Sequence, residues 1–246
     1  KFVVLKAKFM PNPFFRFKQF TVYHDRCAMK VGTDGVLLGA WTNVSDSERI
    51  LDVGSGSGLI SLMLAQRNPK AIIHAIDIDK DAIEQTRINI ESSLFVDRIS
   101  SECISLADHV ENDTDKYDLI VSNPPFFIDS LKSPDGKRSK ARHTDTLMVE
   151  DLVKDASELL TAKGKISLIY PIGYKEKLLP LAEENTLFVT RVTDVYSTPR
   201  SNPKRVLIEL SKEDRRVEES ELIIETDRHI YSDQFIDLLR DFYLKF

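Results

Sequence analysis

Two short stretches carry the residue types that chemistry needs. The first is Asp52-Val53-Gly54-Ser55-Gly56-Ser57-Gly58. Glycines let a backbone approach a ligand closely, and a helix starting at such a turn offers free N–H groups. The spacing is Gly-x-Gly-x-Gly, with Leu59 where a dinucleotide fingerprint has its last glycine, which speaks against a pyrophosphate. Asp77 ends the next strand-like run, about 20 residues on, where nucleotide-binding α/β sheets place the acid that bonds ribose hydroxyls. The second stretch is Ser122-Asn123-Pro124-Pro125-Phe126. An amide or aromatic amino nitrogen is a poor nucleophile because its lone pair is delocalised. The Asn123 side-chain oxygen and the Pro124 carbonyl can each accept one N–H from such a nitrogen. That pulls it toward tetrahedral geometry and frees the lone pair for an electrophile, with no covalent intermediate. Phe126 would stack on the planar group, a contact worth about 1–3 kcal/mol per base.

These groups need a scaffold that gathers strand ends. Strand-like runs occur at Arg49–Val53, Ile72–Asp77, residues 97–102, Tyr117–Ser122 and residues 165–170, 187–195 and 205–211. Helical patterns fill residues 58–67, 81–92, 149–160 and 176–185, the third closed by Ala162-Lys163-Gly164 as a C-cap. The alternation predicts a parallel sheet with helices on both faces. The last two strands are joined by residues 196–204, with Pro199 and Pro203 and no helix, so they pair antiparallel. The glycine turn and Asn123 both fall at the carboxyl edge, where α/β sites form. Ahead of this core, residues 14–23 read as an extended or hairpin segment. Residues 33–41 read as a short helix capped by Thr33 or Asp34. Behind it, Ile230, Phe235, Leu238, Leu239 and Phe242 repeat at a helical period over residues 230–246. The implied organisation is an N-terminal extension (1–45) packed on the site, a catalytic domain (46–211) and a C-terminal tail with a packed helix (212–246).

The sequence Asp-Val-Gly-Ser-Gly-Ser-Gly followed by Ala-Ile-Asp-Ile-Asp resembles motif I and the ribose-binding acid of class I S-adenosylmethionine-dependent methyltransferases. That resemblance implies a Rossmann-like α/β fold with a seven-stranded, mostly parallel sheet and an antiparallel last strand. It also implies S-adenosylmethionine as cofactor. Gly54, Gly56 and Gly58 would then approach its methionine end, with Asp52 and Asn123 also in the cofactor site. Asp77 would grip the ribose and Ile78 would lie against adenine. Glu102 comes early for the adenine-amino contact the family often makes after its third strand. Asn-Pro-Pro-Phe resembles the signature of amino-methyltransferases acting on adenine N6, cytosine N4, guanine N2 or glutamine N5, which makes Asn123, Pro124, Pro125 and Phe126 the catalytic set. Phe17-Lys18-Gln19-Phe20, the block at residues 29–41 and Ala141-Arg142-His143 look like bacterial tRNA(Val) adenine-N6 methyltransferases. In that family the target adenine lies beside the anticodon, at position 37. By similarity, Lys30, Thr33 and Asp34 would close over the cofactor. Arg138, Lys140, Arg142 and His143 would meet RNA phosphates. Guanine-N2 methylation of ribosomal RNA and glutamine-N5 methylation of release factors are the competing readings. Only about 50 residues precede motif I, short for the helical domain that release-factor enzymes carry there.

The 246 residues suffice for one large α/β domain. No apolar run reaches the roughly 18–20 residues of a membrane span. Two cysteines, Cys27 and Cys103, make no disulfide framework, so a reduced cytoplasmic protein is expected. The net charge of −5 argues against a protein that coats nucleic acid, but the distribution is uneven. Residues 1–30 hold seven Lys/Arg against Asp25 alone, and residues 132–142 hold five against Asp135. Arg200, Lys204 and Arg205 form a third group, while acids crowd residues 209–227. Such a chain can bind RNA on one face. A loop adenine is already partly splayed, which lowers the cost of reaching a closed pocket. The partner the resemblance implies is the anticodon loop of a tRNA, and a monomer without metal or membrane is expected.

Overall fold

The computed structural model describes residues 12–112, 115–125 and 147–245. Within them a hairpin, β1 (Phe14–Arg16) and β2 (Thr21–Tyr23), leads into α1 (Thr33–Trp41). Then come β3 (Arg49–Val53), α2 (Leu59–Arg67), β4 (Ile72–Asp77), α3 (Lys80–Glu91), β5 (Ile99–Cys103), α4 (Leu106–Asn112) and β6 (Tyr117–Ser122). The rest comprises α5 (Val149–Leu159), β7 (Leu160–Pro171), α6 (Lys175–Glu184), β8 (Phe188–Tyr196), β9 (Pro203–Ser211) and β10 (Glu218–Ile223). Two short strands, β11 (Glu225–Asp227) and β12 (Ile230–Tyr231), precede α7 (Asp233–Leu239).

The main sheet runs β10-β8-β9-β7-β6-β3-β4-β5. Only β9 is antiparallel, to both β7 and β8. Side chains alternate across each strand, so every central strand feeds two cores. Ile50 and Val121 face one core with the hairpin, α1, α2 and α7. Leu51 and Ile120 face the other, with α4, α5 and α6.

The expected mostly parallel fold with an antiparallel strand near its end is present, with an eighth strand in place of seven. The addition is β10, lying parallel to β8 at the edge. Its sequence, Glu-Glu-Ser-Glu-Leu-Ile, buries only Leu222, so no apolar alternation marks it. Three local expectations are corrected. Gly164 does not cap a helix, because α5 ends at Leu159 and residues 160–164 are already strand. A Cβ at Gly164 would stand 2.8 Å from the Tyr117 carbonyl oxygen, so the glycine serves close strand packing. Neither Thr33 nor Asp34 is the N-cap of α1, which is Gly32, without a side-chain cap. Ile230 lies on β12, not on a helix spanning 230–246. Ser232 starts the shorter α7 by accepting the Phe235 N–H at 3.1 Å.

Candidate active site

The glycine turn leaves β3 with three alternate left-handed positions, Gly54, Gly56 and Gly58 at φ 71°, 56° and 75°. Side chains other than glycine resist that conformation, so the sequence permits this path and few others. The turn is held from several sides. The Gly54 and Ser55 N–H groups donate to the Ile76 carbonyl at 2.9 and 3.0 Å. Gly56 N–H donates to the Asp77 carboxylate at 2.9 Å, and the other Asp77 oxygen accepts the Asp79 N–H at 3.0 Å. From α3, Thr86 Oγ1 donates to the Gly56 carbonyl and Asn89 Nδ2 to the Ser57 carbonyl, both at 2.8 Å.

One side of this turn is open. A Cβ at Gly54 or Gly56 would meet nothing within 4 Å. Ser55 Oγ is buried with no hydrogen-bond partner among the described residues. Ile78, just past Asp77, is 56% exposed, an apolar side chain with room for a flat group over it. The half-exposed Asp77 and these features together suit a nucleoside carrying hydroxyls. Asp52 lies beneath the turn, fully buried. Its Oδ2 accepts the Ser61 N–H at 3.1 Å and the Ser61 hydroxyl at 2.7 Å, fastening the start of α2. Burial pushes its pKa up to about 6, against the pull of the Ser61 hydrogen bonds, with a smaller upward push from Asp77. Burial, then Asp77, Asp79 and Asp25, push the Cys27 thiol up to about 12, so it stays protonated and is no nucleophile at neutral pH.

Asn123 emerges from β6 beside the turn. Ser122 pairs with Val53 in register, and its hydroxyl donates to the Val53 carbonyl at 2.8 Å, tying the two strand ends together. Asn123 is half-buried, Pro124 buried and Pro125 exposed. Helix α1 roofs this edge. A Cβ at Gly35 would lie 3.1 Å from Leu59 Cδ2 and 3.7 Å from Asn123 Nδ2. The helix is anchored at both ends. Asp34 pairs with Arg205 at 2.8 Å. Trp41 Nε1 donates to Thr193 Oγ1 at 2.9 Å, and the Arg191 guanidinium sits 3.6 Å over the Trp41 ring.

The structure thus brings Asp52, Gly54, Gly56, Gly58, Asp77, Ile78, Asn123, Pro124 and Pro125 to one edge. Lys30 and Thr33 stand exposed before and at the start of α1. Phe126, Arg138, Lys140, Arg142 and His143 lie outside the described residues. Glu102 turns its carboxylate to His74 Nε2 at 3.4 Å. With His109 this pair has spacing that would admit a metal ion. Both imidazoles also reach the Tyr117 hydroxyl, at 3.3 and 3.0 Å, and hydrogen bonding accounts for the group. Sequence reasoning missed Thr86, Asn89 and Arg205. The first two show only as an i, i+3 polar pair on one face of α3.

The family model for the methyltransferase small domain matches residues 29–185. The chain is 53% identical, over 96% of its length and the whole of the relative, to a tRNA1(Val) (adenine(37)-N6)-methyltransferase of Parabacteroides distasonis. A relative of the same description from Phocaeicola vulgatus is 50% identical over 96% of this chain and 99% of its own. A crystal structure from Agrobacterium tumefaciens, described as a predicted O-methyltransferase, superposes with TM-score 0.66 at 20% identity, covering 85% of this chain and 96% of that one. At that identity the likeness concerns the fold. Among the described residues no helix is long and apolar enough to cross a membrane.

Proposed function

Since the chain belongs to the methyltransferase small domain family, we propose that it transfers a methyl group to N6 of adenine 37 in a valine tRNA. The observation that carries this reading is the placement of Asn123 at the end of β6, locked to β3 and roofed by α1 beside the open glycine turn. Near-complete relatives carrying that description support it. In this reading residues 46–211 form the catalytic domain, the N-terminal extension packs on the cofactor site, and the C-terminal tail braces the fold. The reaction takes place in the cytoplasm, where mature tRNA is the partner.

S-adenosylmethionine, when bound, supplies an electrophilic methyl group. The open face at Gly54 and Gly56 would receive its amino-acid end, Asp77 would accept from the ribose hydroxyls, and Ile78 would lie against the adenine. Lys30 and Thr33 lie at the rim. The Asn123 side-chain oxygen and the Pro124 carbonyl would accept the two N–H bonds of the target amine. These acceptors would draw the nitrogen toward tetrahedral geometry and free its lone pair. Positioning of this kind substitutes for a covalent nucleophile.

The test is transfer of label from the cofactor to total tRNA, followed by digestion to nucleosides. Labelled N6-methyladenosine is expected. N2-methylguanosine, or label on a protein glutamine, would replace the reading with one of its competitors. Asn123→Ala should lower kcat on the order of 100-fold, the usual loss when one preorganised transition-state partner is removed.

A further inference from the structure

The two faces of the N-terminal hairpin differ in what their rings pack against. Directly opposed residues of an antiparallel pair share a face. Phe15 opposes Val22: Val22 is fully buried, and Phe15, itself 36% exposed, packs on Phe17 and Tyr243 with ring centroids 4.7 and 5.6 Å away. The other face carries Phe14 opposite Tyr23 and Arg16 opposite Thr21. Phe14 is 38% and Tyr23 40% exposed, with their rings 5.8 Å apart. Arg16 is exposed beside them, and the segment leaving β2 adds exposed Arg26 and Lys30.

Two rings left in water on three-residue strands contribute little to packing. Interleaved with cations they form a surface suited to unstacked bases, with the rings taking base faces and the cations taking phosphates. A duplex keeps its base faces occupied, so the fitting ligand is single-stranded. An apolar protein partner would fit the rings but not the local surplus of Arg16, Lys18, Arg26 and Lys30 over Asp25, in a chain of net charge −5. The platform is also fixed to the catalytic edge. Tyr23 N–H donates to Asn89 Oδ1 at 2.9 Å, while Asn89 Nδ2 donates to the Tyr23 and Ser57 carbonyls, each at 2.8 Å. One side chain therefore spaces the hairpin from the glycine turn.

We propose that the Phe14–Arg16–Tyr23 face is a stacking platform for unpaired bases flanking the methylated nucleotide. The inference rests on RNA being the substrate. Its test uses the full chain. A Phe14→Leu/Tyr23→Leu double variant keeps apolar bulk and removes both aromatic faces. It should raise KM for tRNA about five- to a hundred-fold while kcat and cofactor affinity hold, and Tyr23→Phe should restore Tyr23's share. Circular dichroism and cofactor binding confirm folding. In parallel, a photoreactive benzoylphenylalanine placed at position 23 is irradiated with total tRNA and with an unstructured RNA oligonucleotide. Cross-links to RNA are expected. A wild-type KM in the double variant, or cross-links to protein or to the chain's own residues 1–11, overturns the platform. The substrate reading fails separately, as an unsubstituted chain that methylates no tRNA, and the oligonucleotide cross-link still decides the platform.

Discussion

Replacing Gly56 by alanine separates what the turn does for a ligand from what it does for the fold. At φ 56° an alanine loses about 1–2 kcal/mol. Its Cβ would meet nothing within 4 Å, so packing adds no further loss. For a chain of this size each kcal/mol lowers the melting temperature by roughly 2–4 °C. A fall of about 2–8 °C is therefore expected, with the fold intact. The new methyl stands on the open side, where the amino-acid end of the cofactor would approach the backbone. Forcing that contact apart by one methyl radius should weaken cofactor binding at least about tenfold, or 1.4 kcal/mol. Gly58→Ala is the internal comparison. It carries similar backbone strain at φ 75°, but its Cβ would stand 3.1 Å from Thr86 Cγ2, and Thr86 holds the Gly56 carbonyl. Overpacking adds about 1–3 kcal/mol, so Gly58→Ala should melt lower than Gly56→Ala. Thermal melts and equilibrium dialysis with labelled cofactor measure both quantities. Unaltered cofactor affinity in Gly56→Ala, or a reversed order of melting temperatures, would refute the assignment of the open face.

Two further perturbations probe the supports of the site. Asp34→Asn and Arg205→Met each break the half-buried pair that anchors α1 and strand a charge in the remaining partner. Each should lower kcat several-fold through a loosened Asn123, and the double variant should recover part of the lost melting temperature. Strict additivity in that cycle would show that the two residues are not coupled. Burial pushes the Asp52 carboxyl up to about 6 in the folded chain, above its ordinary value near 3.8. The folded state therefore binds the proton more tightly. The Asp52 contribution to stability is largest below about pH 4 and is lost, by about 3 kcal/mol, as pH rises through 6. Asp52→Asn should flatten that slope in urea titrations between pH 4.5 and 7.5, and a difference between variant and wild type that does not change with pH would contradict the burial argument.

The parts legible in the sequence are those fixed by local rules. Buried parallel strands such as Arg49–Val53 and Tyr117–Ser122 show as apolar runs, and the glycine turn shows because left-handed backbone demands glycine. The proline-bearing connection 196–204 marks β9 as antiparallel because no crossover helix fits in it. What the sequence hid depends on partners distant along the chain. Asp34 looked like a helix cap, yet its carboxylate goes to Arg205, 171 positions away. Gly164 looked like a helix stop, while the constraint on it is the Tyr117 carbonyl of the neighbouring strand. Strand β10 carries too many glutamates to announce itself and exists because β8 offers an open edge. Ile230 falls on the helical period of Phe235 and Leu239 by coincidence, and pairing with Asp227 claims it first.

The fastening of the hairpin to the far end of the chain sets a schedule for biosynthesis. Lys18 N–H donates to the Phe242 carbonyl at 2.8 Å, and Phe17, Phe20, Phe235 and Phe242 share one core. A ribosome adding about 5–20 residues per second needs on the order of ten seconds or more to pass from one partner to the other. Until then, Phe17 lacks its contacts with Phe242 and Tyr243, while Phe20 already has Phe95 beside it. The seam closes only when residues 235–242 have folded back against the hairpin.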